Sequence, residues 1–519
     1  MKMIKTIIKR EFLDNILSFK FIACVLVAVV LVSISTVVLS NDYRDRLEDY
    51  NKGVAVAREN LTKVPVYSYL EVGIFRKPSP LSIFVSGIES KTGNHVYLTH
   101  REIPTSLKGG LIKNEFAQIF SFFDLLSVIV IIFTILTILL SYDSVSGEKE
   151  DGVLSLILSN SLPRYKLLLG KYIGGLVSIV VPLTICFITG ILIILFSKGI
   201  EVNSDFFLSM FLFYLFAILY LSSILLIGIF VSSRTKSSFN SLIFLLAFYL
   251  VAIFLLPISV RSYVEITGAR EAKNYANNID NFKREMSTKI SNVYSDIPVK
   301  RSWAAMIMRG YKFILKRINP ENTIEFYRRY FSQSQSIVKE YALKIYDLKR
   351  IDFQNTEKIK KFQNMFLTFL PSFNFERMAE FAAGTGQDYL SRFFQQLALY
   401  WHQYVHYLDE KDAFSLKYFY PFSKEFTLEE QELLTKLDIA FMERDWENRT
   451  KYSKEAERYN QNIGYLDLED LPVFNFYKQN FLDKIKVVIF NILIIFFYNL
   501  VFFILAYFSL ARYDPRVEA

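Results

Sequence analysis

Residues 141–172 read SYDSVSGEKEDGVLSLILSNSLPRYKLLLGKY, and this charged stretch lies between two long apolar segments. Apolar residues at positions 153–158 follow an acidic run at positions 148–151, and Pro163 then ends the helical pattern. A hairpin of this kind can lie along a membrane interface with its acidic end open to a partner. From the residues alone, an interfacial connector and a docking site for a partner are equally good interpretations.

The composition indicates a membrane protein with sizeable aqueous parts. Hydrophobic residues make up 52% of the 519 residues and the mean hydropathy is +0.26, whereas a soluble chain of this length is normally net hydrophilic. Charged residues make up 21%, too many for a chain that lies wholly in the membrane. The net charge of +9 indicates basic residues in cytoplasmic loops and next to lipid headgroups, and it is not interpreted as nucleic-acid binding. Cys24 and Cys186 lie in apolar segments, so no disulfide framework is expected.

Six apolar segments are long enough to cross a hydrocarbon core of about 30 Å. The predicted spans are residues 21–40, 122–141, 173–196, 206–231, 239–258 and 485–511. Residues 1–20 place isoleucines on one helical face and lysines on the other, which predicts an amphipathic helix in the membrane interface. Gly170 and Gly174 form a GxxxG motif at the third span, either as ordinary small residues or as a dimer contact.

The segments between the spans complete the predicted fold class. Residues 41–118 are polar and interrupted by prolines, and they predict a small extracytoplasmic subdomain with short strands or loops at 64–72 and 83–88. Residues 261–484 have helical patterning and are numerous enough to bury a core of their own. The expected fold is therefore mainly α: a six-helix transmembrane bundle with an inserted, mostly helical extracytoplasmic domain.

Basic residues in the short flanks of the spans predict the topology. Lysines and arginines are concentrated in the N-terminal helix, the 142–172 hairpin, the 232–238 turn and the 512–519 tail, all on one side of the membrane if there are six spans. The hairpin, the tail and both termini are then cytoplasmic. The expected location is a bacterial inner membrane, with the chain passing through it several times and contacting its lipids.

No motif in the sequence indicates an enzyme. There is no P-loop and no GxSxG motif. His402 and His406 have the spacing of a zinc-binding helix, but Gln403 stands where a metalloprotease needs its glutamate base. A zinc hydrolase is a minor alternative to surface histidines, and no cofactor is expected. Asp124, near the outer end of the second span, is interpreted as a solvated helix start, or less favourably as a substrate or proton group.

The hairpin also carries a longer pattern of an acidic segment, E-x-E-x-G-T-L, a leucine-serine pair, P-x-R and L-G-K. This pattern falls on residues 142–154, 158–159, 162–164 and 169–171. It resembles the coupling region of ABC transporter permeases of the type-2 exporter class, although Val153 stands where threonine is usual. Weaker similarities point to the subset with a large extracytoplasmic loop between spans five and six; these are at residues 77–84, 371–386, 470–474 and 512–516.

The resemblance implies a non-catalytic permease subunit that works with a separate ATP-binding cassette ATPase and moves a substrate outward. A second six-span unit, either a homodimer partner or a related permease, would complete the pathway. The implied ATPase-coupling residues are Asp143, Glu148, Glu150, Gly152, Arg164 and Lys171. Within this set, the resemblance suggests that the two glutamates meet basic groups on the ATPase and that Gly152 allows close approach or a bend.

The size of the 261–484 segment motivates an alternative function. In this alternative the ATPase moves the outer domain, which acts on an extracytoplasmic partner without any transport pathway. The sequence does not distinguish mechanotransmission from transport.

Overall fold

A computed structural model confirms the mainly α fold class, with helices accounting for about 80% of the structure. The residues it describes are 2–64, 67–104, 106–109, 115–159, 163–296, 307–309, 312–314, 320–413, 428–460, 465–477 and 481–513.

The described part of the chain contains seventeen α-helices and four short strands, besides short 3-10 and π-helical turns. The helices are α1 (Lys2–Ile16), α2 (Phe19–Thr62), α3 (Glu115–Phe120), α4 (Leu125–Val128), α5 (Thr134–Ser141), α6 (Ser146–Glu150), α7 (Val153–Ser159), α8 (Arg164–Phe196), α9 (Ser204–Arg234), α10 (Ser238–Tyr249), α11 (Leu256–Asp296), α12 (Pro320–Leu367), α13 (Pro371–Ala383), α14 (Gln387–Glu410), α15 (Leu428–Met442), α16 (Trp446–Asn460) and α17 (Phe481–Arg512). The strands are β1 (Val72–Phe75), β2 (His95–Leu98), β3 (Ile307–Arg309) and β4 (Lys312–Ile314).

Six helical segments among the described residues are long and apolar enough to cross a membrane, as the sequence predicts. They are span 1 (Phe19–Thr62), span 2 (Leu125–Glu150), span 3 (Arg164–Phe196), span 4 (Ser204–Arg234), span 5 (Ser238–Asp296) and span 6 (Val488–Arg512). Spans 2 and 5 each contain a π-helical turn, at Ile129–Phe133 and Leu250–Leu255.

Spans 2 and 4 form the centre of the bundle. About two-thirds or more of the apolar window of each is buried, whereas less than one-third of that of spans 1, 5 and 6 is buried. A hydrogen bond of 2.7 Å joins the hydroxyls of Thr134 and Tyr220, which satisfies two buried polar groups in an apolar core. The exposed apolar faces of the outer spans are suited to lipid or to a second subunit.

The helix of span 1 continues well beyond its apolar part, which was predicted to end at residue 40. Charged side chains spaced four residues apart pair along the extension, including Lys52 with Glu48 and Lys63 with Glu59. Pairs at this spacing stabilise an exposed helix. The charged residues after position 40 therefore extend the helix to Thr62 instead of starting a loop.

The two stretches expected to be short strands or loops, 64–72 and 83–88, lie mostly outside the strands of the following segment. Strand β1 pairs antiparallel with β2, with Val72 opposite Leu98, and Pro80–Ile83 is a 3-10 helix. The alternation at 83–88 reflects burial in a tight turn, since Phe84 and Val85 are fully buried without belonging to a strand. Alternation over so few residues does not distinguish a strand from a turn.

The segment after span 1 shares a core with the loop that follows span 5. Aromatic side chains on one face of α14 donate hydrogen bonds to backbone carbonyls of the earlier segment. Trp401 Nε1 donates to the Thr99 oxygen over 3.0 Å, and the Tyr404 hydroxyl donates to the Leu70 oxygen over 3.1 Å. Two segments about 300 residues apart in the chain therefore form one packed unit.

Helix α13 is inserted among the spans, although the sequence places it inside a large extracytoplasmic segment. The Phe375 ring stacks on Tyr220 of span 4, with 4.8 Å between ring centroids. Tyr498 of span 6 donates a hydrogen bond of 2.6 Å to the Phe369 carbonyl, and Asn491 donates one of 2.8 Å to Asn374. The chain between α12 and α13 therefore turns back against the bundle before α14 leaves it.

Candidate functional site

The hairpin between spans 2 and 3 consists of two short helices, α6 and α7, joined at Gly152. The backbone of Gly152 has φ of +67°, a conformation that L side chains rarely adopt, and a Cβ placed there would meet nothing within 4 Å. The residue types explain the break, because only glycine reaches this left-handed position at low cost. Gly152 therefore makes the bend and stands in open space.

Lys171, at the start of span 3, is the centre of a buried ionic cluster. Its Nζ lies 3.0 Å from Glu148 Oε1 and 3.4 Å from Glu11 Oε2, and it donates a hydrogen bond of 2.6 Å to the Ser144 carbonyl. Only 3% of Lys171 is exposed, so its charge depends on these partners. The cluster joins helix α1, the hairpin and span 3.

The two carboxylates of this cluster, Glu11 and Glu148, are largely buried. Burial raises the pKa of Glu11 above its usual value, and the neighbouring Glu148 carboxylate acts in the same direction, while Lys171 opposes both. Glu148 Oε2 is buried and has no hydrogen-bond partner in the described part of the chain. Glu148 therefore faces the protein's own interior, where Lys171 is its ion-pair partner.

A second ion pair joins the hairpin to span 1. Lys20 Nζ lies 2.9 Å from Asp143 Oδ2, and the same ammonium group lies 4.5 Å from the centroid of the Tyr142 ring. Both charged side chains are about one-third exposed, so this pair is screened more than the Lys171 cluster.

The first helix of the hairpin is bonded to the adjoining ends of spans 4 and 5. The backbone amides of Val145 and Ser146 each donate a 3.0 Å hydrogen bond to the hydroxyl of Ser232. The Glu150 carboxylate accepts hydrogen bonds from the hydroxyl and amide of Ser238. Since Ser238 is the first residue of span 5, Glu150 places a negative charge at the positive end of that helix.

Arg164 connects the far end of the hairpin to span 6. Its Nη1 donates a 2.6 Å hydrogen bond to the Leu510 carbonyl and a further one to the Ala511 carbonyl. These carbonyls belong to the last turn of α17, where a cation satisfies unpaired acceptors and complements the helix dipole.

The surface of α7 differs from the rest of the hairpin. Asp151 and Gly152 are exposed, and Leu156 is 66% exposed, whereas Leu154 is fully buried and anchors the helix. An exposed leucine next to an acidic turn is a small amphipathic surface at the end of the bundle.

The structure thus brings five of the six predicted coupling residues into contacts that join the hairpin to other elements. Gly152 is the exception: a Cβ at this position would meet no other group within 4 Å. The sequence prediction missed the partners of these residues, chiefly Glu11, Lys20, Ser232 and Ser238. One signal was available: Glu11 lies four residues after Ile7 and so falls on the apolar face of an amphipathic helix.

The GxxxG motif of span 3 packs against helix α1 of the same chain. A Cβ at Gly170 would lie 2.6 Å from Ile7 Cγ2, and one at Gly174 would lie 2.7 Å from Glu11 Cβ. The two glycines form a groove that lets α1 approach closely and brings Glu11 to Lys171. The amphipathic helix therefore packs on span 3, with Lys5, Lys9 and Arg10 on its exposed face.

Three other candidate residues have ordinary structural surroundings. Asp124 is buried rather than solvated, and it accepts hydrogen bonds from the amides of Ser127 (2.9 Å) and Ser86 (2.8 Å), which makes it a helix N-cap. His402 and His406 are exposed on α14, and His406 lies 3.2 Å from Glu410. No group of three metal-ligating side chains occurs within the described residues.

The six apolar helices, bonded together at one end by a charged hairpin, define a polytopic α-helical membrane protein. Residues 5–372, more than half of the chain, match the family model described as ABC-2 family transporter protein. The chain therefore belongs to the ABC-2 transporter family and is a membrane permease of an ABC transporter. A comparison with curated proteins finds no match.

Proposed function

We propose that this permease exports a substrate and is driven by a separate ATP-binding cassette ATPase that docks on the exposed surface of α7. The docking surface consists of Leu156 on α7 and of Asp151 and Gly152, which immediately precede this helix. In this proposal the hairpin and both termini are cytoplasmic, the membrane is a bacterial inner membrane, and the permease itself has no catalytic activity.

The contacts of the hairpin support this assignment. Its charged side chains are engaged with helix α1 and with the ends of spans 1, 3, 5 and 6, so a push on the hairpin reaches several spans at once. An interfacial connector would need no such set of bonds. The exposed surface of α7 is the part of the hairpin that stands away from these contacts.

The six candidate residues then have two kinds of role. Gly152 allows close approach of the ATPase, because its surroundings are open and its backbone makes the bend. The other five, Asp143, Glu148, Glu150, Arg164 and Lys171, act as positioning residues that pass a displacement of the hairpin to the spans. Glu148 and Glu150 contribute through partners in this chain.

A pair of matched glycine variants tests the docking surface. Gly152 and Gly199 both have positive φ, at +67° and +86°, and a Cβ at either position meets nothing within 4 Å. Replacing either glycine by tryptophan therefore has a similar backbone cost, about 1–2 kcal/mol. Gly199 lies in the turn between spans 3 and 4, at the opposite end of span 3 from the hairpin.

We expect Gly152→Trp to lose co-purification with its partner ATP-binding cassette ATPase, and to lose ATP-driven transport. Gly199→Trp should retain both, and the two variants should have similar thermal unfolding temperatures. If Gly152→Trp still binds the ATPase as the unmodified protein does, the docking surface is elsewhere.

A second six-span unit completes the pathway in this proposal, either as a copy of this chain or as a related permease. The exposed apolar faces of the outer spans support an arrangement in which part of this surface is covered by that partner. Cross-linking of the purified protein in a lipid bilayer distinguishes a homodimer from a heterodimer.

One observation favours the alternative of mechanotransmission. Span 5 continues as a helix of 59 residues from Ser238 to Asp296, which corresponds to about 88 Å. Since its first residue is bonded to Glu150 of the hairpin, a displacement there can be carried far outside the bundle. A measured movement of the outer arm, the second half of α11 up to Asp296, without substrate transport would support this alternative.

A further inference from the structure

The end of the bundle opposite the hairpin contains a cavity of about 590 Å³. Span 3 separates the two sites, and its 33 residues correspond to about 50 Å. The cavity lies among the loop that begins at Lys77, the turn between spans 3 and 4, the start of α11 and helix α13. Its volume is within the range of small-molecule sites, about 300–1,000 Å³.

Most of the charged groups that line this cavity are paired with each other. Glu376 Oε2 lies 3.1 Å from an Arg261 nitrogen, and Asp388 Oδ2 lies 3.1 Å from an Arg377 nitrogen. Lys77 pairs with Glu201 over 2.7 Å. Arg392 is held over the Phe381 ring and donates to the Asp388 carbonyl, and Lys91 is exposed.

Glu380 is the exception among the more enclosed groups. It lines the cavity on α13, one helical turn after Glu376, and its carboxylate makes no hydrogen bond or ion pair within the part of the chain that the structure describes. Burial raises the pKa of Glu380 to about 7, and the neighbouring Glu376 carboxylate adds to this effect. An enclosed carboxylate without a partner is costly unless a cation reaches it.

We propose that this cavity is a binding site for a small organic cation, whose ammonium or guanidinium group is bound by Glu380. The ligand's apolar part lies against Phe206 and Tyr389, which also line the cavity. Glu201, Glu376 and Asp388 are paired with lysine or arginine, and Asp205 is exposed to solvent, which leaves Glu380 as the group that selects for positive charge.

A fluorescent primary amine tests this site in the purified full-length protein. Dansylcadaverine carries an ammonium group and an aromatic group, and its N-acetyl derivative is the matched uncharged probe. We expect the amine to bind at micromolar to millimolar concentration and the acetylated probe to bind at least about tenfold more weakly. Equal binding of the two probes, or no binding of the amine at millimolar concentration, would overturn the proposal.

Two variants separate the carboxylate of Glu380 from the general charge of the cavity. Glu380→Gln should weaken binding of the amine at least about tenfold. Asp205→Asn removes the same charge from an exposed lining residue, where solvent screens it, and should change affinity less than about twofold. Equal losses in the two variants would contradict the assignment of Glu380, provided that both unfold at the same temperature.

The pH dependence supplies an independent readout. The charged groups facing Glu380 are Glu376, Arg261, Arg377 and Asp124. Because Glu380 ionises near neutral pH, the affinity for the amine should be highest above pH 7 and should fall as the pH falls through about 7. The affinity of Glu380→Gln should stay flat across this range. Binding is measured without an ATPase, so failure here leaves the proposed coupling surface unaffected.

Discussion

At the scale of single residues, Lys171 shows how burial changes the meaning of a charge. A lysine that leads into a membrane span is ordinarily a headgroup contact or a topology signal. Here the Lys171 side chain is only 2% exposed and has carboxylates on two other elements as partners. Removing one member of such a cluster leaves the others as uncompensated buried charges.

We therefore expect Lys171→Met to lower the free energy of unfolding by about 3–5 kcal/mol. The matched control is Lys20→Met, which breaks the partly exposed pair with Asp143 and should cost at most about 1 kcal/mol. Thermal unfolding in detergent compares the two variants. Replacing Glu11 and Glu148 by glutamine as well should restore most of the stability lost in Lys171→Met.

At the scale of elements, the packing of α1 on span 3 depends on the absence of side chains at two glycines. Gly170→Ala places a Cβ 2.6 Å from Ile7 Cγ2, so α1 must move away. We expect a cost of about 1–3 kcal/mol and faster tryptic cleavage after the exposed Arg10. Gly147→Ala, with its nearest contact at 3.6 Å, should be cleaved like the unmodified protein.

A double variant identifies the contact itself. Ile7→Ala removes the atoms that the new Cβ would meet, so Gly170→Ala combined with Ile7→Ala should be cleaved no faster than Ile7→Ala alone. Additive effects of the two substitutions would show that Gly170 acts through something other than α1.

At the scale of the whole molecule, span 5 is one continuous helix that runs from the hairpin through α11 to the outer arm. Gly268 lies within α11, where a Cβ would meet nothing within 4 Å. Gly268→Pro breaks the helix at a cost of about 3 kcal/mol, while Gly268→Ala strengthens it. No other group lies near a Cβ at this position, so the two variants change the stiffness of the arm in opposite directions.

The measurement is the ATP-dependent change in distance between spin labels on cysteines introduced at Lys198 and Ser291, in the complex with the ATPase. If the arm transmits motion, the unmodified chain and Gly268→Ala show a change that Gly268→Pro loses while ATP hydrolysis continues. An unchanged distance in the unmodified chain would exclude mechanotransmission through the arm. Cys24 and Cys186 are replaced by alanine in all three proteins.

The sequence by itself determined the six spans, the helical class and the position of the hairpin. These depend on hydrophobicity and charge over windows of about 20 consecutive residues, which a chain carries whatever its tertiary packing. The π-turns within spans 2 and 5 leave that pattern intact. The insertion of α13 among the spans was not predicted, because the residues it contacts, Tyr220 and Tyr498, are distant from it in the sequence.

Only the tertiary structure decided which way the charges of the hairpin face. Sequence patterning placed Glu148 and Lys171 in one charged segment, but Glu11, the second carboxylate paired with Lys171, is about 140 residues away from Glu148. That pairing exists because the Gly170–Gly174 groove allows α1 to pack closely on span 3. Contacts between distant segments depend on this shape complementarity, and no local pattern encodes it. The hairpin was therefore predictable as an element, whereas its internal bonds and its exposed surface were decided by packing.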